Sequence, residues 1–174
     1  MLATITGPRG SGKTALCGRL ADLARAAGWD VAGILSPAVV VEGQKVAIEA
    51  LDLRSGERRR LAHRRSGDSP AAGLHTPGWV FDNTAIAWGN DILASATPCD
   101  LLIVDELGVL EMERNQGWTA GLAAVSAGKY RYARAVVRPE LLEMALMRWP
   151  HAQVVDVVHE PALTCLEQML SMMT

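Results

Sequence analysis

The sequence predicts an α/β domain of three layers, in which helices cover both faces of a mostly parallel central sheet. Apolar runs of the length of buried parallel strands recur along the chain, and segments with helical spacing separate most of them. The stretch at 39–62 departs from this alternation, because short β-rich runs and turns follow one another there. This stretch predicts an antiparallel β-hairpin or three-stranded meander that extends the sheet. The core strands are predicted at 1–6, 31–35, 101–105, 132–137 and 153–158.

The first half of the chain predicts a strand, a helix, a strand and the meander, in that order. A helix over about 13–27 is indicated by apolar residues at helical spacing, and Gly28 suits its C-terminal cap. Ser36 and Pro37 interrupt the pattern after the second strand. The meander is predicted from strand-like runs at 39–41, 45–53 and 58–62, with turns at 42–44 and 54–57.

The second half predicts helices between the remaining strands. A loop is expected over 63–78, because Gly, Pro and Arg recur there without an apolar period. Asp82 or Asn83 can cap the helix that follows a short apolar run, and a second loop is expected through Gly117. Pro139 suits the first turn of a later helix. The helices are predicted at about 84–96, 118–126, 139–148 and from 160 onward.

Length and composition predict one domain over residues 1–174, with enough apolar residues for a substantial core. The net charge of −2 argues against a broad nucleic-acid surface. Cys17, Cys99 and Cys165 are odd in number and widely spaced, which favours neither a disulfide framework nor a zinc site. No signal peptide precedes the first strand and no apolar run reaches membrane-spanning length, so we expect a cytoplasmic protein without a membrane partner.

A glycine-rich segment between the first strand and the first helix matches G-x-x-x-x-G-K-[ST] at every fixed position, the Walker A pattern of P-loop NTPases. Its N–H groups are expected to cradle nucleotide phosphates at a helix N-terminus. Lys13 is a candidate catalytic residue that is expected to reach the β- and γ-phosphates, and the Thr14 hydroxyl is expected to ligate Mg²⁺. The predicted nucleotide-binding residues here are Gly7, Pro8, Arg9, Gly10, Ser11, Gly12, Lys13 and Thr14.

A second candidate cluster follows the apolar strand at 101–105, which ends in a carboxylate as a Walker B strand does. Asp105 is expected to hold Mg²⁺ opposite Thr14. Glu106 is a candidate catalytic residue that would orient water at the γ-phosphate, the alternative being a solvated loop acid. Arg138 ends another core strand, where it would either contact the nucleotide or form a structural salt bridge.

Other charged residues are interpreted more conservatively. Glu111 and Glu113 are expected to be solvent-exposed loop carboxylates, although they are near enough in sequence to assist the water or the metal. The arginines between 58 and 65 are interpreted as a solvated face, in preference to a mobile flap that supplies an arginine finger.

Four segments together resemble the cancer-related nucleoside-triphosphatase family of small P-loop NTPases, in its bacterial branch. They are 7–14, 33–37, 105–111 and 136–140, and the acidic run at 105–111 is the most specific. The resemblance implies a RecA-like domain with Mg²⁺-dependent hydrolysis of nucleoside triphosphates, broad base tolerance and slow turnover. It also implies that Lys13 and Thr14 contact phosphates and metal, that Asp105 serves the metal and that Glu106 is the base. Many members carry acidic residues and an arginine where this chain has Pro-Ala-Val-Val-Val at 37–41.

The function expected from these observations is hydrolysis of ATP, GTP and other nucleoside triphosphates. A small-molecule or nucleotide kinase would share the P-loop, the Mg²⁺ and the acidic base, with the arginines at 58–65 as a lid. A nucleotide-binding adapter protein is a third possibility, since five tryptophans are many for this length. We expect those tryptophans in the core or at its rim, and the sequence names no protein partner.

Overall fold

The structure is a computed structural model that describes residues 1–65, 73–157 and 171. Its described strands form one mixed sheet, and its helices lie on both faces of the parallel part. The strands are β1 Leu2–Thr6, β2 Val31–Leu35, β3 Ala38–Val41, β4 Gln44–Asp52, β5 Arg58–Arg64, β6 His75–Thr76, β7 Trp79–Phe81, β8 Cys99–Leu107, β9 Tyr130–Val137 and β10 Gln153–Asp156. The helices are α1 Lys13–Ala26, α2 Asn83–Ala94, α3 Val109–Met112, α4 Thr119–Ala127 and α5 Leu142–Arg148, with a 3₁₀ turn at Pro139–Leu141.

The order of the strands determines which loops meet at the site. It is β10-β1-β9-β8-β2-β4-β5-β7-β6. In addition, β3 pairs with the part of β4 that does not pair with β2. The first five strands in this order are parallel, and β4, β5, β7 and β6 add antiparallel strands beyond β2. The predicted α/β fold, with its parallel core and antiparallel extension, is therefore confirmed. The carboxyl ends of β1, β9 and β8 lie along one edge, where ligands of such sheets bind.

The core is divided between the two faces of the sheet. Leu101 and Ile103 of β8 pack on the face covered by α1, whereas Leu102 and Val104 pack on the face covered by α2 and α4. Alternation along a strand produces this division. It also directs Asp105, the next residue in the series, to the same face as α1.

Two predicted loops contain regular structure. Within 63–78, strand β5 continues to Arg64, and His75–Thr76 pairs with β7 across a tight turn at Pro77 and Gly78. The loop predicted before Gly117 contains the single-turn helix α3. Both elements are too short to show an apolar period, so the sequence pattern missed them. Of the strand predicted at 153–158, the structure contains Gln153–Asp156, and residue 157 lies in a turn. Residue 158, Cys165 and the predicted C-terminal helix apart from residue 171 lie outside the described residues.

The predicted meander is confirmed, and one arginine ties it to the rest of the domain. The Arg54 guanidinium donates to both Asp30 carboxylate oxygens, at 3.0 and 2.7 Å, and to the carbonyls of Ser95 and Pro98, at 2.9 and 3.0 Å. Hydrogen bonding from Arg54 lowers the pKa of Asp30. The turn between β4 and β5 is thus fastened to the start of β2 and the end of α2. Among the described helices, none combines the length and the apolar character needed to cross a membrane.

Candidate active site

The glycine-rich loop joins β1 to α1 and faces an open cavity. Gly10 and Gly12 have φ values of +79° and +90°, in the left-handed region that favours glycine. A Cβ at either position would have no atom within 4 Å, so the requirement for glycine here is conformational rather than steric. The Gly12 carbonyl accepts from the Leu16 amide at 2.8 Å, which starts α1 directly behind the loop. The loop therefore has the conformation and the helix N-terminus that an anion cradle needs.

Lys13 is held across the mouth of this loop. Its ammonium donates to the carbonyls of Gly7 at 2.6 Å and Pro8 at 2.7 Å. Partial burial lowers the pKa of Lys13, while the negative charges of Glu106 and Asp105 act in the opposite direction. These carboxylates are thus near enough to the lysine to favour its charged form.

Asp105 is fully buried at the end of β8. Its Oδ2 accepts from the Ser36 amide at 3.0 Å, while its Oδ1 has no hydrogen-bond partner among the described residues. Burial and then the charge of Glu106 raise the pKa of Asp105 to about 6, although the Ser36 amide and the Thr14 side chain act to lower it. A buried carboxylate oxygen without a partner is costly, and a divalent cation would satisfy it. Thr14 and Asp105 therefore fit a Mg²⁺ site.

A Mg²⁺ site of this kind requires few protein ligands. No cluster of three His, Cys, Asp or Glu side chains that could hold a metal is present in residues 1–65 and 73–157. Mg²⁺ commonly uses one or two carboxylates and completes its shell with water and substrate phosphates. Such a site needs no preformed protein cage.

Glu106 occupies a β-bulge. Val104 pairs with Ala135 and Leu107 pairs with Val137, so β8 has one residue more than β9 between these pairs. The φ of Glu106 is +64°, which is uncommon for a residue other than glycine. In a regular strand Glu106 would point away from Asp105. Instead both residues line the cavity, and the charge of Glu106 acts on Lys13.

Glu111 is buried, so the expectation of an exposed loop carboxylate was wrong for it. Helix α3 turns its side chain back, and its two oxygens accept from the amides of Gly108 at 2.8 Å and Trp118 at 2.9 Å. Burial raises the pKa of Glu111, and these amides act to lower it. Glu111 thus fixes both ends of the segment that follows Glu106. Glu113 is exposed, as expected.

Arg138 lies at the end of β9, half-buried, and lines the same cavity. Its positive charge acts to lower the pKa of Lys13, after burial and the carboxylates, so the two cations are close to each other. Within the described part of the chain, no carboxylate forms a salt bridge with Arg138. The salt-bridge alternative is therefore not realised there, and the guanidinium faces the cavity.

The cavity has a volume of about 1030 Å³ and extends from the glycine-rich loop to the meander. Arg58 and Arg64 are exposed, as the interpretation of the meander arginines as a solvated face expects, and both also line this open cavity. Arg59 instead pairs with Glu57 at 2.9 Å and lies over the Trp88 ring. Sequence reasoning also missed several lining residues, because no local pattern marks them. Lys45 and Trp79 are among them.

The comparisons with known proteins agree with this geometry. A family model described as NTPase matches residues 3–129. The chain is 33% identical over 117 residues to nucleoside-triphosphatase THEP1 from Methanothermobacter thermautotrophicus. The aligned region covers 67% of this chain and 65% of that protein. It is 31% identical over 127 residues to the THEP1 of Ignicoccus hospitalis, and this alignment covers 72% of this chain and 69% of that protein. The match to the THEP1 of Methanopyrus kandleri spans 59% of that relative.

Two solved structures share the fold. A human cancer-related nucleoside triphosphatase has a TM-score of 0.76 at 21% identity, over 98% of this chain and 96% of that chain. THEP1 from Aquifex aeolicus has a TM-score of 0.71 at 18% identity, over 99% of both chains. The family model, which matches more than half of the chain, confirms the family resemblance seen in the motifs. With the glycine-rich loop, the acidic pair and the matched family segment in agreement, this chain belongs to the NTPase family.

Proposed function

We propose that the protein is a Mg²⁺-dependent nucleoside triphosphatase that hydrolyses ATP, GTP and related nucleotides to the diphosphate and phosphate. The observation that carries this proposal is the bulge in β8, which turns Glu106 into the cavity that already contains Lys13 and Asp105. A lysine, a metal-binding carboxylate and a second carboxylate then line one cavity. Phosphoryl transfer needs mainly positioning and charge stabilisation, and these groups supply both.

Binding of the triphosphate follows from the loop. Its backbone amides cradle the phosphates, and Lys13 exchanges the carbonyls of Gly7 and Pro8 for phosphate oxygens. Thr14 and Asp105 would hold Mg²⁺, which supplies neutralisation of the phosphate charge when bound. Arg138 adds a further positive charge beside the phosphates.

Glu106 acts on the attacking water. Its carboxylate accepts a hydrogen bond from the water and takes a proton as the oxygen attacks the γ-phosphorus. The bond from the γ-phosphorus to the β–γ bridging oxygen breaks, and the diphosphate leaves with the electron pair. Glu106 is partly exposed, so the proton can pass on to solvent.

The test is phosphate release by Glu106→Gln compared with Glu113→Gln. We expect the first variant to bind triphosphate normally and to lose about a hundredfold to ten-thousandfold in turnover. Glu113 is an exposed neighbour in sequence, so its variant controls for loss of one nearby charge. Unchanged turnover in Glu106→Gln would remove Glu106 from the mechanism.

Binding is tested separately with Lys13→Ala and with EDTA. We expect loss of triphosphate affinity in the variant, and loss of hydrolysis in the wild type after metal removal, restored by added Mg²⁺. If Lys13→Ala bound triphosphate as well as the wild type did, the proposed site would be wrong. The two buried tryptophans, Trp118 and Trp149, and the three half-buried ones form no exposed patch, so no observation favours an adapter.

A further inference from the structure

We propose that the meander end of the cavity is a second subsite, which binds a phosphate-bearing small molecule beside the γ-phosphate end of the triphosphate. The residues of this meander subsite are Lys45, Arg64 and Trp79. The position of the second ligand relative to the triphosphate rests on the proposed function. The existence of the subsite rests on the meander residues themselves.

The meander subsite has an excess of positive charge. No described carboxylate forms a salt bridge with Lys45 or Arg64. Arg58, at the opposite end of β5, is instead paired with Glu49 at 3.2 Å. Lys45 and Arg64 line the same cavity although they lie on different strands, β4 and β5. Cations without a described carboxylate partner on the wall of a concave site favour an anionic ligand.

The aromatic wall beside these cations narrows the class of ligand. The Lys45 ammonium lies 5.1 Å from the centre of the Trp79 ring, and Arg64 is the direct partner of Trp79 across β5 and β7. Arginine binds phosphate through two parallel hydrogen bonds, and an indole packs against flat rings. A phosphate monoester that carries a planar ring, as a nucleoside monophosphate does, satisfies both requirements.

The strand order places this subsite beyond the acidic pair. β1, which carries the glycine-rich loop, is separated by β9 from β8, and β2 and the meander follow on the other side of β8. A triphosphate that runs from the loop toward Glu106 therefore ends with its γ-phosphate facing the meander. A ligand on the meander would lie next to that phosphate.

The volume allows two ligands. Sites for one small molecule commonly enclose about 300–1000 Å³. This cavity, at about 1030 Å³, is slightly larger than that range and has chemically distinct ends. The glycine-rich loop and the meander cations are thus best explained as two anion sites in one space.

The experiment measures binding of AMP by calorimetry to protein already saturated with Mg²⁺ and a non-hydrolysable triphosphate. Saturation prevents AMP from occupying the glycine-rich loop. We expect one further AMP to bind, and the double variant Lys45→Gln, Arg64→Gln to weaken it by about tenfold to a hundredfold. Arg60→Gln is the matched control, because Arg60 is an exposed arginine of β5 that does not line the cavity.

The outcomes separate this proposal from the proposed function. Absence of AMP binding, or AMP binding that the double variant leaves unchanged, would overturn the subsite. Loss of triphosphate affinity in the double variant without any AMP site would also overturn it, since the cations would then serve the triphosphate. Inorganic phosphate is titrated in parallel. Equal affinity for phosphate and AMP would contradict the proposal that the ligand carries a planar ring. If the protein bound no triphosphate, the proposed function would fail, and AMP titration of the free protein would still test the subsite.

Discussion

The backbone at Glu106 provides a sharp test of the relation between stability and activity. Its φ of +64° places a residue with a Cβ in the left-handed region, which glycine adopts without steric cost. Glu106→Gly should therefore relieve strain, whereas Glu106→Ala removes the same carboxylate and keeps the strain. Both variants also remove the charge that acts on Asp105. The difference between their stabilities therefore measures the backbone strain alone.

The expected difference is about 1 kcal/mol in the free energy of unfolding, after the extra freedom of glycine in the unfolded chain is subtracted. For a chain of this length, that corresponds to a rise of about 2–4 °C in the melting temperature of Glu106→Gly over Glu106→Ala. Both variants should lose hydrolysis to a similar extent. Thermal unfolding by circular dichroism and a phosphate-release assay measure the two quantities.

A control is available at Glu42, an exposed residue of the β3–β4 turn with a φ of +50°. Glu42→Gly and Glu42→Ala should show a similar difference in stability without any change in hydrolysis. The reasoning would be refuted if Glu106→Gly melted at or below the temperature of Glu106→Ala while the Glu42 pair behaved as expected. The bulge would then carry no strain.

Three further variants test the framework around the site. Glu111→Ala should lower the free energy of unfolding in urea by about 2–4 kcal/mol, because two buried amides lose their acceptor, and a loss below 1 kcal/mol would contradict this role. Gly33→Ala should cost more than about 3 kcal/mol or prevent folding, because its Cβ would lie 1.9 Å from the Ile103 carbonyl oxygen, and near-normal stability would exclude so close an approach. Arg54→Lys should cost about 1–2 kcal/mol by losing the two-bond contact with Asp30, with triphosphate affinity unchanged, and altered affinity would show coupling to the site.

The sequence predicted the parts of the molecule that depend on local pattern. The glycine-rich loop, the parallel strands and the Asp82 cap of α2 are specified by neighbouring residues, and the structure contains each of them. The Asp82 side chain accepts from the amides of Thr84 and Ala85 at 2.8 and 3.2 Å, as a capping residue does. The meander was also predictable, because β-branched runs and turn residues alternate there.

The remaining features depend on pairing between distant segments. The bulge at Glu106 exists because β8 has one residue more than β9 between two ladder pairs, and no window around Glu106 shows this. Glu111 is buried because the loop after α3 brings the Trp118 amide to its carboxylate. Which meander residues line the cavity depends on how β4, β5 and β7 pair with one another. The residue pattern within each strand does not specify this pairing.

The two adjacent carboxylates have environments that suit different tasks. Asp105 is fully buried, and the Ser36 amide fixes one of its oxygens, so it has the rigidity that a metal ligand needs. Glu106 is partly exposed in a bulge, so it can exchange a proton with solvent, as the proposed role of a base requires. The bulge produces this difference, because a regular strand would have sent Glu106 to the opposite face of the sheet. One extra residue in β8 thus gives two neighbouring acids access to one cavity while leaving them different degrees of contact with water.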